Sequence, residues 1–197
     1  MKKDYSLTVT PPTEMRRSEF ACDDDWIKFF LINSQVGYVG TRWDDQPFIT
    51  PLVFWFDPQK HEIYFHTNLT GRMKANSERD NKVCFVTSRV GYLLPSNVAL
   101  EFSVQYESVV VFGLIKTIEN IEQKKYALQG LVNKYFESFE PGELYRPITD
   151  RELKQTNVYA IEITEWSGKR NWPEIAEQSS EWTPLPIELL KGWSLKE

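Results

Sequence analysis

The alternation of hydrophobic and polar residues predicts short strands over much of the chain. Such alternation, interrupted by turn residues such as Asp44-Asp45-Gln46-Pro47 and Asp57-Pro58-Gln59-Lys60, is typical of half-buried antiparallel strands. We predict a mainly β protein: a closed or split β-barrel of six or seven antiparallel strands with peripheral helices. The predicted strands are 36–42, 48–56, 62–67, 81–90, a long strand pair over 103–118, and 158–165.

Four helices are predicted around this barrel. Asp23-Asp24-Asp25 begins the first, because acidic side chains suit a positive helix N-terminus, and apolar residues follow at helical spacing to about residue 33. A short helix is predicted from Thr70 to about Glu78. Asn120 begins a helix of about four turns, and Thr149-Asp150-Arg151-Glu152 has the sequence of a capping box.

We interpret residues 1–197 as a single domain with an extension at each end. Residues 1–22 contain Pro11-Pro12 and no periodic pattern, which predicts an arm lying on the surface or on a neighbour. Residues 166–197 contain four of the seven tryptophans and several prolines, which favours an ordered, loop-rich extension. These indoles are expected to cover the protein's own sheet or a dimer partner.

Composition and charge narrow the classes of function. A net charge of −5 and a pI near 5.3 argue against a nucleic-acid partner, because such proteins usually carry a basic surface. No apolar run reaches membrane-spanning length and no export signal is visible, so we expect neither membrane insertion nor export. The two cysteines, Cys22 and Cys84, favour a reducing cytoplasm over a disulfide framework. With only His61 and His66 besides, we expect no metal site.

The segment from Tyr64 to Lys74 carries the clearest candidate chemistry. It runs from a strand into a helix start, where unpaired backbone N–H groups and a partial positive charge favour an anion. The Thr67 and Thr70 hydroxyls and the Arg72 guanidinium would add to a phosphate seat, which implies a nucleotide-like cofactor.

Four motifs follow one another in the chain: Arg16-Arg17, the segment from Tyr64 to Met73, the segment from Tyr106 to Gly113, and Gly168-Lys169. In this order they resemble the FMN-binding split barrels of the pyridoxamine 5'-phosphate oxidase-like superfamily. The resemblance is to the branch with nitroimidazole-resistance-type flavoproteins, and it covers roughly residues 14–172. It implies FMN as the cofactor and a homodimer with flavin sites at the subunit boundary.

The resemblance also implies which residues contact FMN. The phosphate is expected near Arg72 or Lys74, because many relatives carry a lysine where Met73 stands. The ring is expected along the strand Ile49-Thr50-Pro51-Leu52-Val53. Pro51 lacks an N–H and therefore marks an edge or a bulge. A sharper interpretation stacks Trp172 on the ring. The predicted cofactor-binding residues are Thr50, Pro51, Leu52, His66, Thr67, Thr70, Arg72, Met73, Lys74, Tyr106, Ser108 and Trp172.

We therefore expect an oxidoreductase in which a nicotinamide or protein donor reduces FMN and the electrons pass to a small acceptor, such as a nitroaromatic, a quinone or a flavin. His66 and Tyr106 are the candidate catalytic residues, as donors of a hydrogen bond or proton. Pyridoxamine phosphate oxidation is disfavoured, because Lys169-Arg170-Asn171-Trp172 matches that enzyme only loosely, and no catalytic triad or dinucleotide fingerprint is present.

Three alternatives stay open. A lone strand histidine such as His66 is often a structural residue. In the second alternative, the barrel is a non-catalytic flavin or haem binder, with His66 as an axial haem ligand. In the third, it is a structural barrel with an empty site.

Overall fold

The structure is a computed structural model that describes residues 13–194. The first twelve residues of the predicted arm, with Pro11-Pro12, and the last three residues of the extension lie outside the described part. Residues 13–194 form four α-helices: α1 (Asp24–Asn33), α2 (Arg72–Arg79), α3 (Ile121–Tyr135) and α4 (Asp150–Lys154). The eight strands of the described residues are β1 (Ala21–Cys22), β2 (Val36–Trp43), β3 (Gln46–Val53), β4 (Trp55–Asp57), β5 (Glu62–Asn68), β6 (Lys82–Leu94), β7 (Ser103–Thr117) and β8 (Thr156–Asn171).

One antiparallel sheet contains all these strands in the order β3-β2-β6-β7-β8-β5-β4, and β1 pairs with β8. The two edge strands, β3 and β4, are separated in the sequence only by Phe54. Because consecutive Cα atoms lie about 3.8 Å apart, the sheet must curl until its edges meet. This confirms the predicted split barrel, although the described residues form eight strands where six or seven were predicted.

Three of the predicted strands need correction. The strand predicted over 48–56 is two strands, because the chain leaves the sheet at Phe54. The strand pair predicted over 103–118 is wrong: β7 is one strand of 15 residues that pairs with β6 on one side and β8 on the other. The last strand, β8, continues past Glu165 to Asn171, so Trp166 belongs to the sheet and the extension begins at Trp172.

Three of the four predicted helix starts are confirmed, and α2 begins at Arg72, two residues after the predicted Thr70. The Asp23 carboxylate accepts a hydrogen bond from the Trp26 N–H at 2.8 Å, and the Asn120 side chain caps α3 in the same way. The capping box of Thr149 and Glu152 is complete. None of the helices in residues 13–194 has the length and apolar character needed to cross a membrane.

Every second side chain of the sheet points into the barrel interior, and the side chains between them point outward. Val39, Phe85, Val109 and Val111 have no exposed surface, and with α1 they form the main core. The opposite surface of β3, β2, β6, β7 and β8, which we call the outer face, is partly apolar and solvent-exposed. Ile49, for example, is 72% exposed. This face positions the candidate site.

A single tyrosine holds the junction between the two edges of the sheet. The Tyr135 hydroxyl, at the end of α3, lies 3.1 Å from the Phe54 nitrogen, 3.0 Å from the Phe54 oxygen and 2.5 Å from the Gln35 oxygen. The hydroxyl accepts a hydrogen bond from the Phe54 N–H, and its single proton is shared between the Phe54 and Gln35 oxygens. It therefore gives the Phe54 backbone partners at the point where the chain leaves the sheet.

We expect Tyr135→Phe to lower the free energy of unfolding by about 1–3 kcal/mol, because it leaves buried backbone groups of Phe54 unpaired. Urea denaturation measures this change. The control is Tyr145→Phe, whose hydroxyl bonds only the Gln129 side chain and whose loss should change stability by less than about 0.5 kcal/mol. Equal effects of the two substitutions would contradict the role given to Tyr135.

Lys134 gives the same junction a pH dependence. Its ammonium lies 3.6 Å from the centre of the Phe54 ring, and burial lowers the pKa of the group to about 7 from an ordinary 10.5. Between these two pKa values the unfolded chain binds more protons than the folded chain, so this group makes stability rise with pH.

We expect the stability of Lys134→Met relative to the parent to be greatest below pH 7 and to fall towards pH 10. Denaturation at pH 6, 8 and 9.5 tests this, and a constant difference would contradict it.

Candidate functional site

The start of α2 is open to an anion. Its N-cap is Gly71, whose φ of +148° favours glycine. No side chain caps this end of the helix, and its first turn contains no acidic residue. Thr67 and Thr70 lie just before the helix and are partly or fully exposed. The unpaired N–H groups of this turn therefore face a position that suits negative charge.

Arg72 is held beside this helix start by aromatic rings. Its guanidinium lies 5.0 Å from the centre of the Phe48 ring and 5.3 Å from that of Trp43. The described part of the chain gives it no hydrogen-bond or ion-pair partner. Lys74, by contrast, lies 3.7 Å from the Glu78 carboxylate, and Arg79 pairs with Asp44. Arg72 is thus the fixed cation whose N–H donors stay available near the start of α2.

His66 lies on β5, where it pairs with Val158 of β8. Its side chain reaches solvent, but neighbouring protein atoms partly desolvate the imidazole and lower its pKa below the ordinary value. The ring is therefore neutral at neutral pH, with one nitrogen to donate and one to accept a hydrogen bond.

The predicted ring-binding residues lie on the edge strand β3, which confirms that Pro51 marks an edge. Pro51 is exposed opposite Tyr38, whereas Thr50 and Leu52 point to the other side of the strand, and Leu52 packs against the core. The expectation for Met73 is corrected, because its side chain is only 5% exposed and lies in the core. The Met73 side chain anchors α2, so only its backbone N–H, at the start of the helix, stays available to a ligand.

The second half of the site lies on the outer face of β6, β7 and β8. Ser108 of β7 pairs with Ser88 of β6 on one side and with Lys169 of β8 on the other. The Lys169 ammonium lies 5.1 Å from the centre of the Tyr106 ring. Within residues 13–194, neither serine hydroxyl has a hydrogen bond and Lys169 has no carboxylate partner. We call Ser88, Ser108 and Lys169 the Ser-Ser-Lys row.

Sequence reasoning missed two members of this row. Lys169 belongs to the Gly168-Lys169 motif, so a signal for it was present. Ser88 becomes a neighbour of Ser108 only through the pairing of β6 with β7, for which the sequence carries no local signal.

The two halves of the predicted site are far apart within one chain. His66 pairs with Val158 near the start of β8, whereas Tyr106 pairs with Asn171 at its end. At about 3.3 Å per residue, this separation is on the order of 40 Å along the strand. A single chain therefore does not bring the candidate catalytic residues, His66 and Tyr106, together.

The outer face also carries an open cavity of about 840 Å³. Tyr38, Ile49 and Phe112 give it apolar walls, and the Arg42–Asp80 ion pair and Lys82 lie at its margin. A volume of this size suits a small-molecule ligand.

Trp172 follows the last residue of β8, and its ring lies against β6. A Cβ on Gly91 would come within 2.7 Å of the indole, so only glycine allows this approach. The Arg89 guanidinium lies 5.1 Å from the centre of the indole ring. Stacking of Trp172 on a flavin stays a prediction.

Many solved structures share the fold, among them the following three. The flavocytochrome Anf3 from Azotobacter vinelandii is 23% identical, with a TM-score of 0.74 over 87% of this chain and 78% of that one. The FAD and heme binding protein from Mycobacterium smegmatis is 18% identical, with a TM-score of 0.67 over 86% and 96%. A proposed 5-nitroimidazole antibiotic resistance protein from Bacteroides thetaiotaomicron is 20% identical, with a TM-score of 0.65 over 76% and 86%. At these identities the likeness shows the fold alone.

No curated protein matches the chain significantly. A family model, in contrast, covers well over half of the chain: the model described as pyridoxamine 5'-phosphate oxidase matches residues 23–170. The matched region contains α2, the Ser-Ser-Lys row and the cavity of the outer face. The chain therefore belongs to the pyridoxamine 5'-phosphate oxidase family.

Proposed function

We propose that the protein is an FMN-binding oxidoreductase that transfers electrons to a small acceptor, such as a nitroaromatic or a quinone. Arg72 is the observation that carries this proposal. Two rings fix its guanidinium beside an uncapped helix start, and its donors have no partner among residues 13–194. A phosphate group matches both the donors and the charge of this arrangement.

The residues present fit the different parts of FMN. Arg72, Thr67, Thr70 and the first N–H groups of α2 would hold the phosphate, and the apolar cavity of the outer face would receive the ring. Bound FMN would supply reversible redox chemistry, while the chain binds it, orients it and excludes water. The names of two structurally similar proteins, a flavocytochrome and an FAD and heme binding protein, also favour a flavin.

The site is proposed to form between two copies of the chain. The start of α2 and the Ser-Ser-Lys row are too far apart to act on one cofactor within a single chain. The exposed apolar residues of the outer face, including Ile49 (72% exposed) and Val53 (48%), favour a second copy as its cover. A two-fold homodimer pairing Arg72 of one copy with Lys169 of the other would contain two identical sites.

His66 and Tyr106 are proposed to act at the acceptor. The neutral imidazole of His66 can donate a hydrogen bond or a proton to an acceptor oxygen or nitrogen, and the Tyr106 hydroxyl can do the same from the other copy.

Haem binding is the second candidate function. Two of the similar structures are a flavocytochrome and an FAD and heme binding protein, and a neutral His66 is in the form that coordinates iron. A Soret band in the purified protein, in place of two flavin bands, would favour this alternative.

Arg72→Ala should weaken FMN binding by about 10- to 100-fold, because it removes charge-assisted hydrogen bonds to the phosphate. Quenching of flavin fluorescence during titration measures the affinity. Arg151→Ala, at an exposed position of α4, is the matched control and should bind as the parent does. A parent protein that is colourless and indifferent to FMN would contradict the proposal.

A mixed dimer tests whether each site is shared between copies. Arg72→Ala and Lys169→Ala should each weaken FMN binding in homodimers. A heterodimer of the two variants, purified through two different tags, has one site with both residues intact and one with neither. We expect it to bind one FMN with parental affinity. If both residues acted within one chain, no tight site would be restored.

A further inference from the structure

A second cationic group lies on the inner side of the same strands that carry the Ser-Ser-Lys row. Glu107 of β7 is 3% exposed. Its Oε2 accepts a hydrogen bond from Arg89 Nε at 2.9 Å, and its Oε1 lies 3.0 Å from Arg170 Nε. The two arginine side chains are 64% and 50% exposed. One carboxylate neutralises one guanidinium, so these three residues, which we call the Arg-Glu-Arg cluster, keep a net positive charge.

The cluster is fixed from several directions. Glu107 is buried, and Arg89 lies over the Trp172 ring. The neighbouring Gln105 accepts from the Tyr92 N–H at 3.1 Å and donates to the Pro173 oxygen at 2.7 Å, which ties the start of the extension to the sheet. The outer N–H groups of the two guanidiniums have no other partner in residues 13–194. The cluster therefore presents two oriented donor groups with little conformational freedom left to lose.

A cavity of about 410 Å³ adjoins Arg89, between the end of α1 and the strands β2 and β6. Phe29, 64% exposed, offers it a flat apolar surface, and the Gln35 amide has no partner in the described residues. Tyr38 lines this cavity and also the larger cavity of the outer face, so the two adjoin. Its size and its mixture of ring and amide groups suit a nucleobase.

We propose that the Arg-Glu-Arg cluster binds a phosphomonoester of a nucleotide whose base occupies the cavity at Phe29. A dianionic phosphate matches the residual charge, and a guanidinium presents its donors in a fork that fits phosphate oxygens. The chemical class includes the 2′-phosphoadenosine end of a nicotinamide dinucleotide. That assignment rests on the proposed flavin function, because the shared Tyr38 would bring such a donor beside the flavin.

Calorimetric titration of the full-length protein with adenosine 2′,5′-bisphosphate tests the proposal. We expect binding that is at least about tenfold weaker in Arg89→Gln and in Arg170→Gln, and unchanged in Arg151→Gln. Adenosine 5′-monophosphate, which lacks the 2′-phosphate, should bind about tenfold more weakly than the bisphosphate. Phe29→Ala should also weaken binding while leaving the ion pairs intact, so the test stands even if an arginine variant folds poorly.

Absence of binding at millimolar bisphosphate, or parental affinity in both arginine variants, would overturn the proposal. FMN titration of the same variants separates the two sites. Unchanged FMN affinity supports a distinct nucleotide site, whereas an equal loss of FMN affinity assigns the cluster to the flavin phosphate and overturns it. Bisphosphate binding by a protein that does not bind FMN would instead refute the flavin function and leave the nucleotide site standing.

Discussion

The connection of the two sheet edges through one residue constrains the rest of this structure. Phe54 separates β3 from β4, so an eight-stranded sheet has to curl until its first and last strands meet. Phe54 makes no ladder hydrogen bonds because it leaves the sheet, and the Tyr135 hydroxyl of α3 accepts from its N–H and shares one proton between the Phe54 and Gln35 oxygens. The same contact between Tyr135 and Phe54 therefore fixes the position of α3 and stabilises the closure of the barrel.

Closure also decides where chemistry can occur. Because β8 is long and pairs with β5 at one end and with β7 at the other, α2 and the Ser-Ser-Lys row are held at separate places. The curled sheet buries its inner residues and leaves the outer face exposed between them. The proposed homodimer would bury this partly apolar face and would complete both proposed anion sites.

Local sequence signals predicted the features that depend on local chemistry. Turn residues, the caps at Asp23 and Asn120, the capping box at Thr149 and the edge position of Pro51 were all visible in the sequence. Features that depend on distant partners were not. The break between β3 and β4 at Phe54 depends on hydrogen bonding to Tyr135, which is 81 residues away in the sequence. Ser88 and Ser108 become neighbours only through the register of β6 against β7. The continuity of β7 also depends on register with β8, since Gly113 sits at a bulge where a Cβ would meet the Glu162 oxygen at 2.4 Å.

The distribution of charge distinguishes candidate sites from ordinary surface. Acidic residues outnumber basic ones, 28 to 23, so an unpaired cation here does not reflect a shortage of acids. Arg42, Arg79 and Arg146 are paired with carboxylates. An exposed arginine without a partner is common and by itself carries no meaning, because water solvates it well. Two aromatic rings restrict Arg72, which has no carboxylate partner in residues 13–194, before any ligand arrives. Arg89 does have a partner, but that carboxylate is buried and, with the Trp172 ring, fixes the guanidinium in the same way. Since ordering such a side chain opposes binding by up to about 2 kcal/mol, an arginine already ordered by the fold binds an anion more tightly than a mobile one.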